Sequence, residues 1–112
     1  MHNDWQKEFN ASITIRDTDG VIIYMNDKSV EFFKKDGGRE LIGKSLFDCH
    51  SEQSNKIIKE LISEKKTNVY SIEKNGIKKI IYQTPFIENG MMRGIVEMIL
   101  EIPFDMPHHV RS

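Results

Sequence analysis

Cys49 and His50 stand side by side in a chain that has one cysteine and four histidines. Imidazole and thiolate both ligate iron, and the apolar Leu46 and Phe47 nearby could line a porphyrin. The same pair also admits a plainer reading, in which Cys49 packs as a small hydrophobe and His50 is an exposed or capping side chain. Other combinations support less chemistry. Asp17-x-Asp19-Gly20 resembles the start of a calcium loop, but its glycine is fourth rather than sixth and Val21 and Ile23 occupy later ligand places, so a turn is expected. His108 and His109, with His2, lack a fixed geometry and read as solvated tail residues. Glu97 and Glu101 lie four apart on one strand face, roughly 13 Å by strand rise, too far to share a proton. They are expected to be solvated or at a dimer surface. No glycine loop has the pattern that cradles phosphate, and Gly37-Gly38 lacks the surrounding motif. An enzyme is not expected.

These side chains must be positioned by a single domain, since 112 residues suffice for one core without disulfides. The formal charge of −1 gives no field to recruit nucleic acid or an anionic membrane. A single cysteine suits a reducing interior, and no apolar run approaches the ~20 residues of a membrane span, so a cytoplasmic protein is expected.

Three Asx-Gly pairs, Asp19-Gly20, Asn75-Gly76 and Asn89-Gly90, each separate two runs rich in isoleucine, valine and tyrosine, the pattern of tight β-hairpins. Residues 12–16 and 21–25 form the first hairpin. Asn26 or Asp27 can cap a short helix ending near Gly37-Gly38, and a second short helix spans 40–42. Ser51 is placed to cap a longer helix with the stripe Ile57, Ile58, Leu61 and Ile62. Residues 67–73, 78–87 and 91–102 then read as an antiparallel meander, broken or bulged at Pro85 because proline donates no amide bond. Trp5 and Phe9, four apart in a polar segment, suggest a short amphipathic helix in an N-terminal cap of residues 1–10. In the last strand Val96, Met98 and Leu100 share one face and Glu97 and Glu101 the other, so the former are expected against the helices. The interior between sheet and helices is accordingly assigned to Tyr24, Met25, Phe32, Phe33, Leu46, Phe47, Ile57, Leu61, Ile80, Tyr82, Val96 and Met98. Ile81, Ile95 and Ile99 would then lie on the outer face.

Three segments resemble a known family. Asp17-Thr18-Asp19-Gly20-Val21-Ile22-Ile23-Tyr24-Met25-Asn26 is similar to the opening of a PAS domain. Leu41-Ile42-Gly43-Lys44-Ser45-Leu46 resembles the family's entry to its long helix, and Thr84-Pro85-Phe86-Ile87-Glu88-Asn89-Gly90 with Gly94-Ile95-Val96-Glu97 resembles its final hairpin. The resemblance covers roughly residues 11–102, in the family's order.

It implies an α+β PAS fold: a five-stranded antiparallel sheet, elements in the order β-β-α-α-α-β-β-β, with helices on one face. The expected organisation is a cap at 1–10, a PAS domain at 11–103 and a tail at 104–112. The implied function is a sensory module that binds a small ligand or cofactor between sheet and helices. It would signal through a separate partner such as a kinase or transcription factor, and a homodimer is expected. The alternative is a cofactor-free dimerisation or interaction module. Haem-holding relatives ligate iron through a histidine near this helical segment, which makes His50 the candidate metal ligand. Cys49, Phe33, Leu46, Phe47, Ile57, Leu61, Tyr82 and Met98 complete the expected pocket. Flavin is disfavoured, because Cys49-His50-Ser51-Glu52 matches none of the Asn-Cys-Arg-Phe-Leu-Gln motif of the LOV subfamily. Pro103 and Pro107 oppose a helical connector after Ile102.

Overall fold

The computed structural model describes residues 4–45 and 52–112. Its five strands are β1 (Ser12–Asp17), β2 (Ile22–Met25), β3 (Asn68–Lys74), β4 (Ile77–Glu88) and β5 (Met91–Ile102). They form one antiparallel sheet in the spatial order β2-β1-β5-β4-β3. Between β2 and β3 run helix α1 (Asp27–Phe32), two 3₁₀ turns (Lys34–Asp36 and Gly38–Leu41) and helix α2 (Glu52–Glu64). The second expected helix is thus a 3₁₀ turn, and the α+β architecture is the expected one.

Local chemistry explains the boundaries. Asn26 is buried and caps α1, its Oδ1 accepting from the Ser29 amide at 3.0 Å and from the Ile13 amide at 2.9 Å. Its Nδ2 donates to the carbonyls of Ala11 and Gln6, so one side chain ties β1, the N-terminal turn and α1 together. That N-terminal segment is a turn, not a helix. Trp5 and Phe9 meet edge to face, with ring centroids 5.3 Å apart, and both stay exposed.

The Asn-Gly hairpins form as expected: Asn75 and Asn89 take positive φ of 53° and 52°, followed by Gly76 and Gly90 at 76° and 77°. At the first hairpin only Gly20 is left-handed. There the Asp17 carboxylate accepts from the Asp19 and Val21 amides and shapes the turn itself. This is the turn role expected for Asp17-x-Asp19-Gly20. Pairing continues through Pro85 opposite Ile95, so the strand does not break there. Pro85 lies beyond the end of β3, where one flank of β4 has no neighbour and a missing donor is tolerated.

The irregularity falls one step later. Ile87 faces Met92 but Phe86 faces Gly94, which leaves Arg93 as an extra residue in β5. Gly94 is required there: a Cβ on it would stand 1.8 Å from the Arg16 carbonyl oxygen.

The sheet phase is the reverse of the expected one. Ile81, Ile95 and Ile99 are buried, and Ile81 and Ile99 meet Ile57 and Ile58 of α2 around a common cavity. Ile80, Tyr82, Val96 and Met98 lie on the other face. The row Ile13, Met98, Tyr82, Val69 crosses four strands there. Both faces of β4 and β5 are apolar enough that alternation alone does not choose between them. No described helix is long and apolar enough to cross a membrane.

Candidate functional site

The inner face of the sheet carries its polar residues in one row. Antiparallel register sets Thr14 of β1, Glu97 of β5, Gln83 of β4 and Asn68 of β3 side by side, with Arg16 diagonal to Glu97. Asn68 Nδ2 donates to Gln83 Oε1 at 3.0 Å, and Gln83 Nε2 donates to Glu97 Oε2 at 2.7 Å. The other carboxylate oxygen of Glu97 stands 3.6 Å from Arg16 Nη2. At the β1 end, Thr14 and Ser29 share a hydrogen bond between their hydroxyls. The chain of bonds is directional, each amide turning its oxygen to one neighbour and its nitrogen to the next, and it ends on a carboxylate.

Arg16 is 3% exposed. Its Nε and Nη1 are buried and have no hydrogen-bond partner. Burial pushes its guanidinium below the ordinary arginine value, while the charge of Glu97 and, less strongly, Tyr70 opposes the shift. Tyr70 sits in the next row, opposite Ile81. Burial raises its phenol above the ordinary tyrosine value, Glu97 adds to the rise and Arg16 opposes it. The hydroxyl therefore stays protonated at neutral pH, able to donate as well as accept.

Above this polar row a half-open cavity of about 560 Å³ lies between the sheet and the helices. Phe32, Phe33, Ile57 and Ile58 bound it from the helical side, and Ile72, Ile81 and Ile99 from the sheet. Phe32 and Phe33 pack edge to face at 4.8 Å. A second hollow of about 740 Å³ shares Phe32, Phe33, Ile72 and Ile99 with it.

Of the expected pocket residues, Phe33 and Ile57 line this cavity. Leu61 is buried in α2 but does not reach the cavity wall. Tyr82, 38% exposed, and Met98 belong to the opposite face, for the reason of phase given above. Cys49, His50, Leu46 and Phe47 lie outside the described residues. Among the described residues, the wall presents iron with no imidazole or thiolate, and no cluster of three metal-binding side chains occurs.

Sequence reasoning passed over the polar row. Glu97 was expected to be wet because charged, yet its partners Arg16 and Gln83 come from other strands. The available signal was local: Gln83 is a lone amide in an apolar strand, and Ser12, Thr14 and Arg16 share one face of β1.

The sequence pattern of the PAS domain family matches residues 10–89. The chain belongs to the PAS domain family. Solved PAS structures agree in fold. The PAS domain of the histidine kinase ThkA superposes with a TM-score of 0.65 at 18% identity, covering 81% of this chain and 98% of that one. The Aer2 receptor of Vibrio cholerae, a dual PAS-heme oxygen sensor, gives 0.65 at 15% identity, covering 83% and 95%. VqmA bound to DPO, also from Vibrio cholerae, gives 0.70 at 14% identity, covering 90% of this PAS chain and 56% of VqmA. No curated protein matches the chain in sequence.

Proposed function

We propose that this PAS domain is a sensory module that holds a small molecule in the cavity between its sheet and helices and signals through a partner protein. The observation that carries this reading is the cavity itself. About 560 Å³, apolar on both layers and floored by converging polar side chains, is the size and lining of a small-molecule site. Two similar proteins, the PAS-heme oxygen sensor and VqmA bound to DPO, are named for what they hold. Haem in this chain would depend on Cys49 and His50, and the described wall supports a smaller, polar-ended occupant better.

Native mass spectrometry of protein isolated gently from cells tests the reading. The expected result is a mass above that of the 13.1 kDa chain, lost in Ile57→Trp, which fills the cavity. A Soret band would identify the occupant as haem. The chain mass alone, in a protein whose thermal midpoint responds to no small molecule, overturns the reading.

A second reading, homodimerisation, rests on a separate observation, the apolar row Ile13, Met98, Tyr82 and Val69 on the outer face. Tyr82 and Val69 are exposed there. Sedimentation should show a dimer that Tyr82→Glu converts to a folded monomer; a monomeric wild type removes this reading.

A further inference from the structure

We infer that the inner face of the sheet holds a small amphiphilic carboxylate, its apolar body against Ile81 and Ile99 and its anionic head among the lysines of the second hollow. The inference rests on the cavity being a ligand site and goes further by naming the ligand's chemical class and the end at which its charge lies.

The two hollows share one floor. Next to the polar row of Gln83, register sets Ile99, Ile81 and Tyr70 in a second row, then Glu101, Lys79 and Ile72, then Ile77 and Lys74. The row of Ile81 lines the cavity, the two rows beyond it line the second hollow, and Ile72 and Ile99 belong to both. Each row lies two residues further along β4, so the lysine end of the floor stands roughly 7–13 Å from Ile81. Ile57, Ile58 and Phe33 face the apolar end from the helical side.

Charge then sets the kind of head. Lys28, Lys34 and Lys35 from the helical side and Lys74 and Lys79 from the sheet border the second hollow, against Glu31, Asp36 and Glu101. This is a local excess of two positive charges in a chain whose net charge is −1. Among the described residues none of these five lysines is in an ion pair. The Lys79 ammonium instead rests 4.4 Å from the centroid of the Phe32 ring. At the other end of the floor Arg16 is already balanced by Glu97, and Gln83 and Asn68 are neutral, so an anion gains least there. Four of the five lysines are exposed, so a carboxylate among them keeps part of its hydration and escapes the cost of full burial. An alcohol head leaves the lysine excess unanswered, and an ammonium head is repelled by it.

Three probes with the same chain and different heads test the inference on the intact protein: octanoate, octanol and octylammonium. Nuclear magnetic resonance follows the cavity-lining isoleucine methyls and the ε-methylene of Lys79. The expected result at low salt is that octanoate binds about five-fold tighter than octanol and shifts the Lys79 signal, with octylammonium weakest. In about 1 M salt, where exposed charges are screened, the preference should fall to about one-fold. Lys34→Gln with Lys35→Gln should weaken octanoate about three-fold and leave octanol unchanged, which also reports that the fold is kept. Lys44→Gln with Lys65→Gln removes the same charge from exposed positions outside both hollows and should leave octanoate unchanged.

Octanol binding as tightly as octanoate overturns the inference while leaving the cavity a ligand site, and so does tightest binding by octylammonium. Equal octanoate affinity in the two double variants overturns it too, because the preference would then owe nothing to the lysines of the hollow. Isoleucine methyls that no probe moves overturn it as well, and native mass spectrometry then decides the cavity reading on its own.

Discussion

A buried guanidinium persists only where something balances its charge, and in this chain that partner is Glu97. Glutamine at position 97 would keep the shape and the contact with Gln83 but leave Arg16 charged, dry and unpaired. Breaking one side of such a pair costs about 3–5 kcal/mol, whereas replacing both partners with apolar side chains is often neutral. Glu97→Gln should therefore lower the urea midpoint sharply, and Arg16→Met with Glu97→Met should restore most of it. Equal stability of the single and double variants would mean that the two charges are not coupled. Residue identity alone misled here. Glu97 looks like a solvated surface acid because sequence alternation reports on one strand at a time, while its burial is decided by residues 81 and 14 positions away that the sheet brings beside it. Asn26 was easier to read, because a helix cap is a local requirement and its acceptor role is fixed by neighbours within the next turn.

At the scale of elements, all five strands and the long helix followed from turn chemistry and periodicity. The two Asn-Gly hairpins and their mirror-image turns were legible because the φ requirement is local. The sheet phase was not, because both faces of β4 and β5 are apolar, and the register of the last hairpin was hidden as well, by one residue. Counted outward from the Asn89-Gly90 turn, an unbroken ladder would set Gln83 opposite Val96. Arg93 bulges out of the ladder, so Gln83 meets Glu97 instead and the faces of β5 exchange. A bulge leaves little mark on hydrophobic alternation when both faces are apolar. Its one trace is Gly94, which passes the backbone of β1 too closely for any side chain. Gly94→Ala must push β5 away from Arg16 and Asp17, which would disturb the site and the centre of the sheet together. The expected cost is at least ~2 kcal/mol in urea unfolding. An alanine variant as stable as wild type, with unchanged amide shifts in β1, would show that the strands do not approach this closely.

The pH dependence of stability belongs to the whole molecule, because each group that titrates differently on folding contributes to a single unfolding equilibrium. Tyr24 and Tyr70 both have phenols raised above 10.0 in the folded chain. Burial is the leading cause in each, reinforced by Asp4 and Asp27 at Tyr24 and by Glu97 at Tyr70, with Lys7 and Arg16 respectively opposing. Below 10.0 both folded and unfolded chains hold these protons, and the full stabilisation is present. As the pH passes 10.0 the unfolded chain releases them while the folded chain does not, so unfolding becomes proton-releasing and stability falls until the folded values are passed. Arg16 has the opposite sign. Its folded value lies below the ordinary arginine value, so it sheds its proton before the unfolded chain does, and stability gained there works against the tyrosines. The tyrosine contribution is isolated by comparing wild type with Tyr70→Phe and with Tyr70→Phe plus Tyr24→Phe from roughly pH 9 to pH 11. The negative slope of unfolding free energy against pH should be steepest in wild type, shallower in the single variant and shallower again in the double. Tyrosinate absorbance should show the same order, with wild type ionising latest. Equal slopes in all three proteins would place the phenols in water and detach Tyr70 from the charged floor of the cavity.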